Sequence, residues 1–179
     1  MRKCMLVLAL LPFACFARDW QVDMSKSSLS FNGTYQSGPF TGKFGKFDAA
    51  ISYDEADLSK AKFDVKVDVA SVDTQSSERD DTLKTADFFD TAKFPQAHFV
   101  TSSFERGADG GVLAKGTLTI REQSKPVTLK VQFAASAAGT TLDVDTTLNR
   151  LDFGLGTSSD WADIGKNIAV HGHLLLTPK

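Results

Sequence analysis

Asp73, Thr74, Arg79 and Asp80 form the most polar cluster beside the aromatic segment that carries Phe88 and Phe89. A guanidinium beside two carboxylates could anchor a ligand or substrate through a phosphate or carbonyl. The same residues could instead cap a helix and pair at the surface, where such pairs contribute little. His171 and His173 stand at i and i+2, so both rings face one side of a strand, a spacing that can offer two nitrogens to zinc. Val170, Gly172 and Leu174 take the apolar face, however, which leaves the histidines on the wet one, and no metal is expected there. The sequence contains no Gly-x-Ser-x-Gly elbow, P-loop or His-Glu-x-x-His stretch. No catalytic residue and no cofactor is expected, and the residues give little sign of an enzyme.

Its 179 residues suit one well-buried domain. Arg2 and Lys3 precede the apolar run Met5 to Ala14, and the small Ala17 follows at a cleavage point, so residues 1–17 read as a secretory signal and 18–179 as the mature domain. Lipoprotein anchoring at Cys15 is the less favoured alternative, because Leu11, Pro12, Phe13 and Ala14 make a poor lipobox. Either route places the protein in the periplasm or outside the cell. Both cysteines, Cys4 and Cys15, fall in the signal, so a mature chain cut after Ala17 has no disulfide and must be held by its core. The apolar run is shorter than a membrane-spanning helix needs, and no stable membrane insertion is expected. Losing Arg2 and Lys3 leaves 18 basic against 22 acidic residues, a balance of −4 that argues against nucleic acid as a partner.

Strict alternation organises most of this domain. In "FDVKVDVAS", Phe63, Val65, Val67 and Val69 share one face while Asp64, Lys66 and Asp68 share the other. "VTLKVQF", "TLDVDTTLN" and "IAVHGHLLL" repeat the pattern, with weaker candidates at 28–35, 44–53, 97–104 and 112–120. About eight half-buried antiparallel strands follow, and a closed all-β barrel is favoured over a sandwich because closure removes exposed edges. Only "SSERDDTLKTADFFDTAKFPQAHF", residues 76–99, breaks the alternation. A serine followed by carboxylates starts a short helix there, near residues 78–90. Asp87 is placed to cap a second turn carrying Phe88 and Phe89, and Pro95 forces Phe94 to be extended. Too short to stand alone in water, the segment must dock its aromatics, and a barrel mouth is the natural site. Trp161, in the irregular stretch "TSSDWADIGKN", either covers the end of the barrel or anchors its own loop.

The order of "WQVDMSKSSLSF", "GKFGKFDAAISYD", "ASVDTQSSERDDTLKTADFFDTAKFPQAHF", "GTLTI", "KPVTLKV" and "LDFGLG" resembles the YceI-like family across the whole mature chain. Where that family usually has a Gly-containing turn between "LTI" and "PV", this chain has Arg121, Glu122, Gln123, Ser124 and Lys125. The resemblance implies an eight-stranded antiparallel lipocalin-like barrel, exported, that holds a polyisoprenoid or other long-chain apolar lipid, and by analogy a possible homodimer. On that basis Phe31, Phe47, Val65, Val67, Phe88, Phe89, Phe99, Val131, Phe133, Leu148 and Phe153 are expected to line a continuous apolar channel. Asp73, Arg79 and Asp80 are the candidates for its head group. The alternative for the apolar set is a solid core. An enzyme or accessory factor of isoprenoid or quinone metabolism, and a ligand-free stress-related interaction protein, are the competing functions.

Overall fold

A computed structural model describes residues 18–108, 110–136 and 139–179. The expected signal, with both cysteines, lies outside the described residues. Alternation becomes pairing along β1 (Asp19–Val22), β2 (Ser28–Tyr35), β3 (Gly38–Phe44), β4 (Phe47–Ser52), β5 (Lys62–Asp68), β6 (Val72–Asp73), β7 (Gln96–Arg106), β8 (Val112–Ile120), β9 (Gln123–Ser136), β10 (Gly139–Asn149) and β11 (Asn167–Pro178). All described pairings are antiparallel.

Six of these elements make up three strands, each interrupted by a bend. A 3₁₀ turn at Met24–Lys26, started by the Asp23 carboxylate accepting from the Ser25 N–H, divides β1 from β2, yet both pair with β11. The break at Gly45-Lys46 divides β3 from β4, and the 3₁₀ turn Val69–Ser71 divides β5 from β6. These bends are bonded to each other: Gly45 N–H donates to Ser71 O at 3.0 Å and Lys46 N–H to Ser71 Oγ at 2.9 Å. Merging the interrupted pairs leaves eight barrel strands among the described residues, and the ring closes because β1 pairs with both β4 and β11. The fold is the expected antiparallel barrel with one short helix, α1 (Ser77–Lys84).

β3 was not expected: the Ser37-Gly38-Pro39 turn signal extends into "GPFTGKF", where Gly42 interrupts the apolar alternation. The helix stops at Lys84 rather than continuing toward residue 90. Phe89 N–H returns to Leu83 O and Asp90 N–H to Thr85 O, with Asp90 in the left-handed region at φ 48°, so the chain leaves the helix axis in tight turns.

The interior is packed in two clusters. One end of the barrel is solid: Trp20, Ile51, Tyr53, Phe63, Val112, Ala114, Val131, Leu142, Leu174 and Leu176 are all buried together. Trp20 meets Phe133 edge-on at 5.2 Å and donates its indole N–H to Tyr53 O at 3.0 Å, while Phe63 and Phe104 pack edge-on at 4.9 Å. Burial contributes about 1.5–3 kcal/mol for each such large side chain, which lets a barrel without a cross-link hold. At the other end lies a second cluster, Val69, Phe88, Ala97, Ile120, Phe153 and Leu155, of which Phe88, Ile120, Phe153 and Leu155 border open space.

Several carboxylates on the wet surface are tuned by local bonds. A hydrogen bond from the His98 ring, at 2.8 Å, holds Asp64 below the usual carboxylate range. Ser25 does the same for Asp23, Ser59 for Asp57, and the Gln75 backbone N–H for Asp73. Each of these groups is more acidic folded than unfolded, so its stabilisation is complete above the unfolded value near pH 4 and is lost as pH falls through the folded value. The urea midpoint is therefore expected to stay level from pH 7 to about 5 and to drop on acidification below about 4. A midpoint unchanged at pH 3 would contradict this.

Candidate functional site

The helical interruption and a second irregular segment close the hollow end. Ser76 Oγ accepts from the Arg79 N–H at 3.4 Å and starts α1, while Asp80 Oδ1 turns back to accept from Thr74 N–H at 2.8 Å and Thr74 Oγ1 at 2.6 Å. The turns after α1 deliver Phe88, 3% exposed, under the barrel rim. Opposite, Asn149 Oδ1 accepts from Leu151 N–H and begins a 3₁₀ turn, Arg150–Phe153, which carries the chain across the barrel end toward Trp161 and Ile164.

The two segments are fastened to each other. Phe88 and Trp161 pack edge-on at 5.0 Å, and Trp161 Nε1 donates to Asp87 Oδ2 at 3.1 Å. Asp87 therefore serves the facing loop, where a helical cap was expected of it. Gly156 N–H donates to Asp87 O at 2.6 Å. Arg121, in the turn between β8 and β9, reaches Phe88 O at 3.0 Å and Gly154 O at 3.5 Å. Arg121 thus ties that turn to the end cap.

Arg150 organises the second segment. It is 6% exposed, and its five N–H groups meet five backbone carbonyls: Nε donates to Gly165 O, Nη1 to Leu155 O and Gly156 O, and Nη2 to Trp161 O and Ile164 O. Burial lowers its pKa from the ordinary arginine value. The cation is fully spent on the loop, so it offers no donor to a ligand although it adjoins the open space.

That space is a cavity of about 480 Å3 with an apolar wall. Phe31 from β2, Phe40 and Phe44 from β3, Leu148 from β10, Ile168 and Val170 from β11, and Phe88, Phe89, Phe153, Leu155, Trp161 and Ile164 from the end cap supply it. The polar rim is Ser76, Glu78, Arg79 and Thr82, and Tyr35, 47% exposed, marks the opening. Volume and lining are those of a site for a small apolar ligand.

The sequence matches the YceI-like domain over residues 20–175. The chain belongs to the YceI-like family. It is 37% identical over 124 residues to a UPF0312 protein of Shewanella denitrificans, covering 68% of this chain and 65% of that protein's length. Among solved structures, BcnA of Burkholderia cenocepacia superposes with a TM-score of 0.82 at 29% identity, over 88% of this chain and all of that one. A Saccharophagus degradans domain described as polyisoprenoid-binding and implicated in plant cell wall breakdown shares the fold at a TM-score of 0.65 and 19% identity, over 91% of this chain and 99% of that one.

Within this YceI-like barrel the expected apolar set divides. Phe31, Phe88, Phe89, Leu148 and Phe153 line the cavity. Val131 lies in the solid core with Phe47 and Phe133 packed against it, and Val67 packs behind the end cap. Phe99 is buried over Gly116, and Val65 beside it on β5 is half-buried and off the cavity wall. Of the polar candidates only Arg79 reaches the rim, with its guanidinium 5.0 Å over the Phe40 ring. Asp80 is committed to Thr74, and Asp73 accepts from Gln75 N–H and pairs with Lys43 at 3.4 Å. Tyr35, Phe40, Phe44 and Arg150 were missed, and the Phe40-x-Gly42-x-Phe44 spacing was the available signal for two of them.

The histidines are held by carboxylates across the wet face: His171 meets Asp145 at 2.8 Å and His173 meets Asp143 at 2.6 Å. Among the described residues no group of three or more His, Cys, Asp and Glu converges on a metal position, and no helix is long and apolar enough to cross a membrane.

Proposed function

We propose that this YceI-like protein is an exported carrier that sequesters an apolar lipid, isoprenoid in class, by burying its tail in the barrel without reacting with it. The cavity of about 480 Å3 at one end, walled by aromatic and aliphatic side chains, carries this reading. Each methylene moved from water into such a wall contributes about 0.8 kcal/mol, so affinity needs no charge contact. The fold shared with a domain described as polyisoprenoid-binding supports the ligand class by analogy. The apolar run ahead of Ala17 supports export to the periplasm or beyond.

Arg79 is the head-group residue in this proposal. Among the described residues its side chain makes one long hydrogen bond, 3.4 Å to Thr74 O, and stacks on Phe40, which leaves donors for the rim. Arg79→Gln is expected to weaken binding of a prenyl phosphate about tenfold, or about 1.4 kcal/mol, while leaving a prenyl alcohol within a factor of two. Equal losses for both would remove Arg79 from the head-group role. The function itself is tested by native mass spectrometry of protein recovered gently from the exporting cell. An organic-extractable lipid, unchanged in mass after incubation, is expected; protein that is repeatedly empty and refuses added prenyl lipids would sink it.

A further inference from the structure

We infer that the lipid tail enters and leaves the barrel sideways, through a seam in the wall between β9 and β10. This rests on the lipid-binding role proposed above and adds the route by which the cavity is filled.

The seam lies where two neighbouring strands stop pairing before they end. The ladder between β9 and β10 runs from Gly139 opposite Ser136 to Asp145 opposite Lys130 and, among the described residues, goes no further. β10 nevertheless continues to Asn149, paired with β11, and β9 reaches back to Gln123, paired with β8. The two strands thus turn unpaired edges toward each other over residues 123–129 and 146–149. Two residues explain the break. Pro126, which continued register would set opposite Asn149, has no N–H to donate. Asn149 begins the 3₁₀ turn of the end cap, and Arg150 N–H bonds to Lys166 O at 2.9 Å, so β10 is drawn toward β11 and away from β9.

The seam borders the cavity. Continued register would set Leu148 opposite Val127 and Thr147 opposite Thr128. Leu148 lines the cavity, and Val127 packs against the cluster at the hollow end. On the outer surface a groove runs past Thr128, Lys130, Asp145 and Thr147 and reaches Thr146 and Val170. Val170 also lines the cavity, so groove and cavity meet at one residue of the wall. Among the described side chains, the bond across the seam is Thr146 Oγ1 donating to Thr128 O at 3.0 Å.

The end cap is better fastened. Parting it breaks the bonds of Asp87 to Trp161 and Gly156 and those of Arg121 to Phe88 and Gly154, besides the edge-on contact of Phe88 and Trp161. Parting the seam breaks the Thr146 hydroxyl bond where the ladder has already stopped, and local opening favours the element held by fewest bonds. The slot is bounded at both ends, by the Asp145–Lys130 pair and by the β8–β9 turn that Arg121 anchors. Four facing residues at about 3.4 Å each make it about 14 Å long. A tail can slip in broadside along that length instead of threading end-on past Phe88 and Trp161, and it replaces the apolar contacts it parts.

Residues 18–179 contain no cysteine, so a link can be placed across the seam without competing thiols. The test is Thr128→Cys with Thr147→Cys, both exposed, joined by a disulfide or, if that does not close, by a short cleavable bis-maleimide. Ala134→Cys with Thr141→Cys, joined where the ladder is intact, is the control. The probe is a long-chain polyene alcohol that fluoresces when enclosed, followed by stopped flow. The locked seam is expected to slow uptake and release at least tenfold each, to leave Kd within a factor of two, and to recover when the link is cleaved. The control is expected to exchange at the wild-type rate. Wild-type rates in the locked variant, or equal slowing in the control, would overturn the lateral route while leaving lipid binding intact. Failure of the wild-type protein to enclose the probe would instead remove the binding role on which the route rests. Thr146→Val removes the bond across the seam and keeps the shape, so release is expected to be about fivefold faster. Unchanged release would show that this bond is not the latch.

Discussion

Arg150→Met is expected to lower the free energy of unfolding by about 3–5 kcal/mol and to free the loop that closes the hollow end. A buried ion pair can often be replaced by apolar groups at little cost, because both charges leave together. Arg150 differs: its partners are five backbone carbonyls between residues 155 and 165, and they remain when the side chain is removed. Each unsatisfied buried acceptor costs about 1–3 kcal/mol, and partial hydration of the freed loop brings the sum down to the expected range. Gly156, at φ 59° and with only 2.9 Å between a hypothetical Cβ and the guanidinium, shows how closely the loop is moulded to that group. Arg150→Lys brings three donors to five acceptors and should fall between the two. Urea titration followed by tryptophan emission is the measurement. A methionine variant as stable as the parent would mean that the carbonyls are satisfied by water and that Arg150 does not hold the cap.

Gly42→Val is expected to weaken lipid uptake at least tenfold, about 1.4 kcal/mol, and to destabilise the barrel by about 1–3 kcal/mol through overpacking. The added carbons occupy the place of the Phe31 ring, which already packs between Phe40 at 6.4 Å and Phe44 at 5.3 Å. The open direction left to it is the cavity, so the ring takes the volume a ligand tail would use. Gly38→Ala is the control, since its Cβ would meet only the Tyr35 carbonyl at 3.4 Å and is expected to leave both properties unchanged. Uptake preserved in the valine variant, measured by displacement of a bound fluorescent fatty alcohol, would show that Phe31 has another way to yield.

Much of the barrel is written in local pattern. Phe63, Val67 and Asp64 take the faces their alternation assigns, and Ser76 is legible as the helix cap because a hydroxyl followed by carboxylates suits a helix start. β3 was obscured by its own function. Gly42 interrupts the apolar alternation of Phe40 and Phe44, and it is glycine because Phe31 from the neighbouring strand occupies the space. Arg150 leaves no mark in sequence, since its partners are main-chain carbonyls whose side chains carry no trace of the bond. Phe88 and Phe89 could be assigned to a lid from their place in the one segment without alternation, but Trp161 as its partner depends on a contact across 73 positions of the chain, joined by the bond to Asp87 nearby.

By itself the sequence determined which residues face inward, where the helix begins, that the chain forms a YceI-like barrel, and that an aromatic lid interrupts the strands. The inward faces, the helix start and the interruption follow from interactions between residues close in the chain or in fixed register, which repeat at periods of two or four, whereas the YceI-like barrel was implied by resemblance to that family. Only the tertiary structure decided that the barrel is solid around Trp20 and Tyr53 and hollow beneath Phe88 and Trp161. An inward side chain has the same periodicity whether it meets another ring or an empty space. Which of the two it meets is set by the strands opposite, by the glycines that receive a ring and by the loop an arginine holds closed, all of which come together only when the sheet closes on itself.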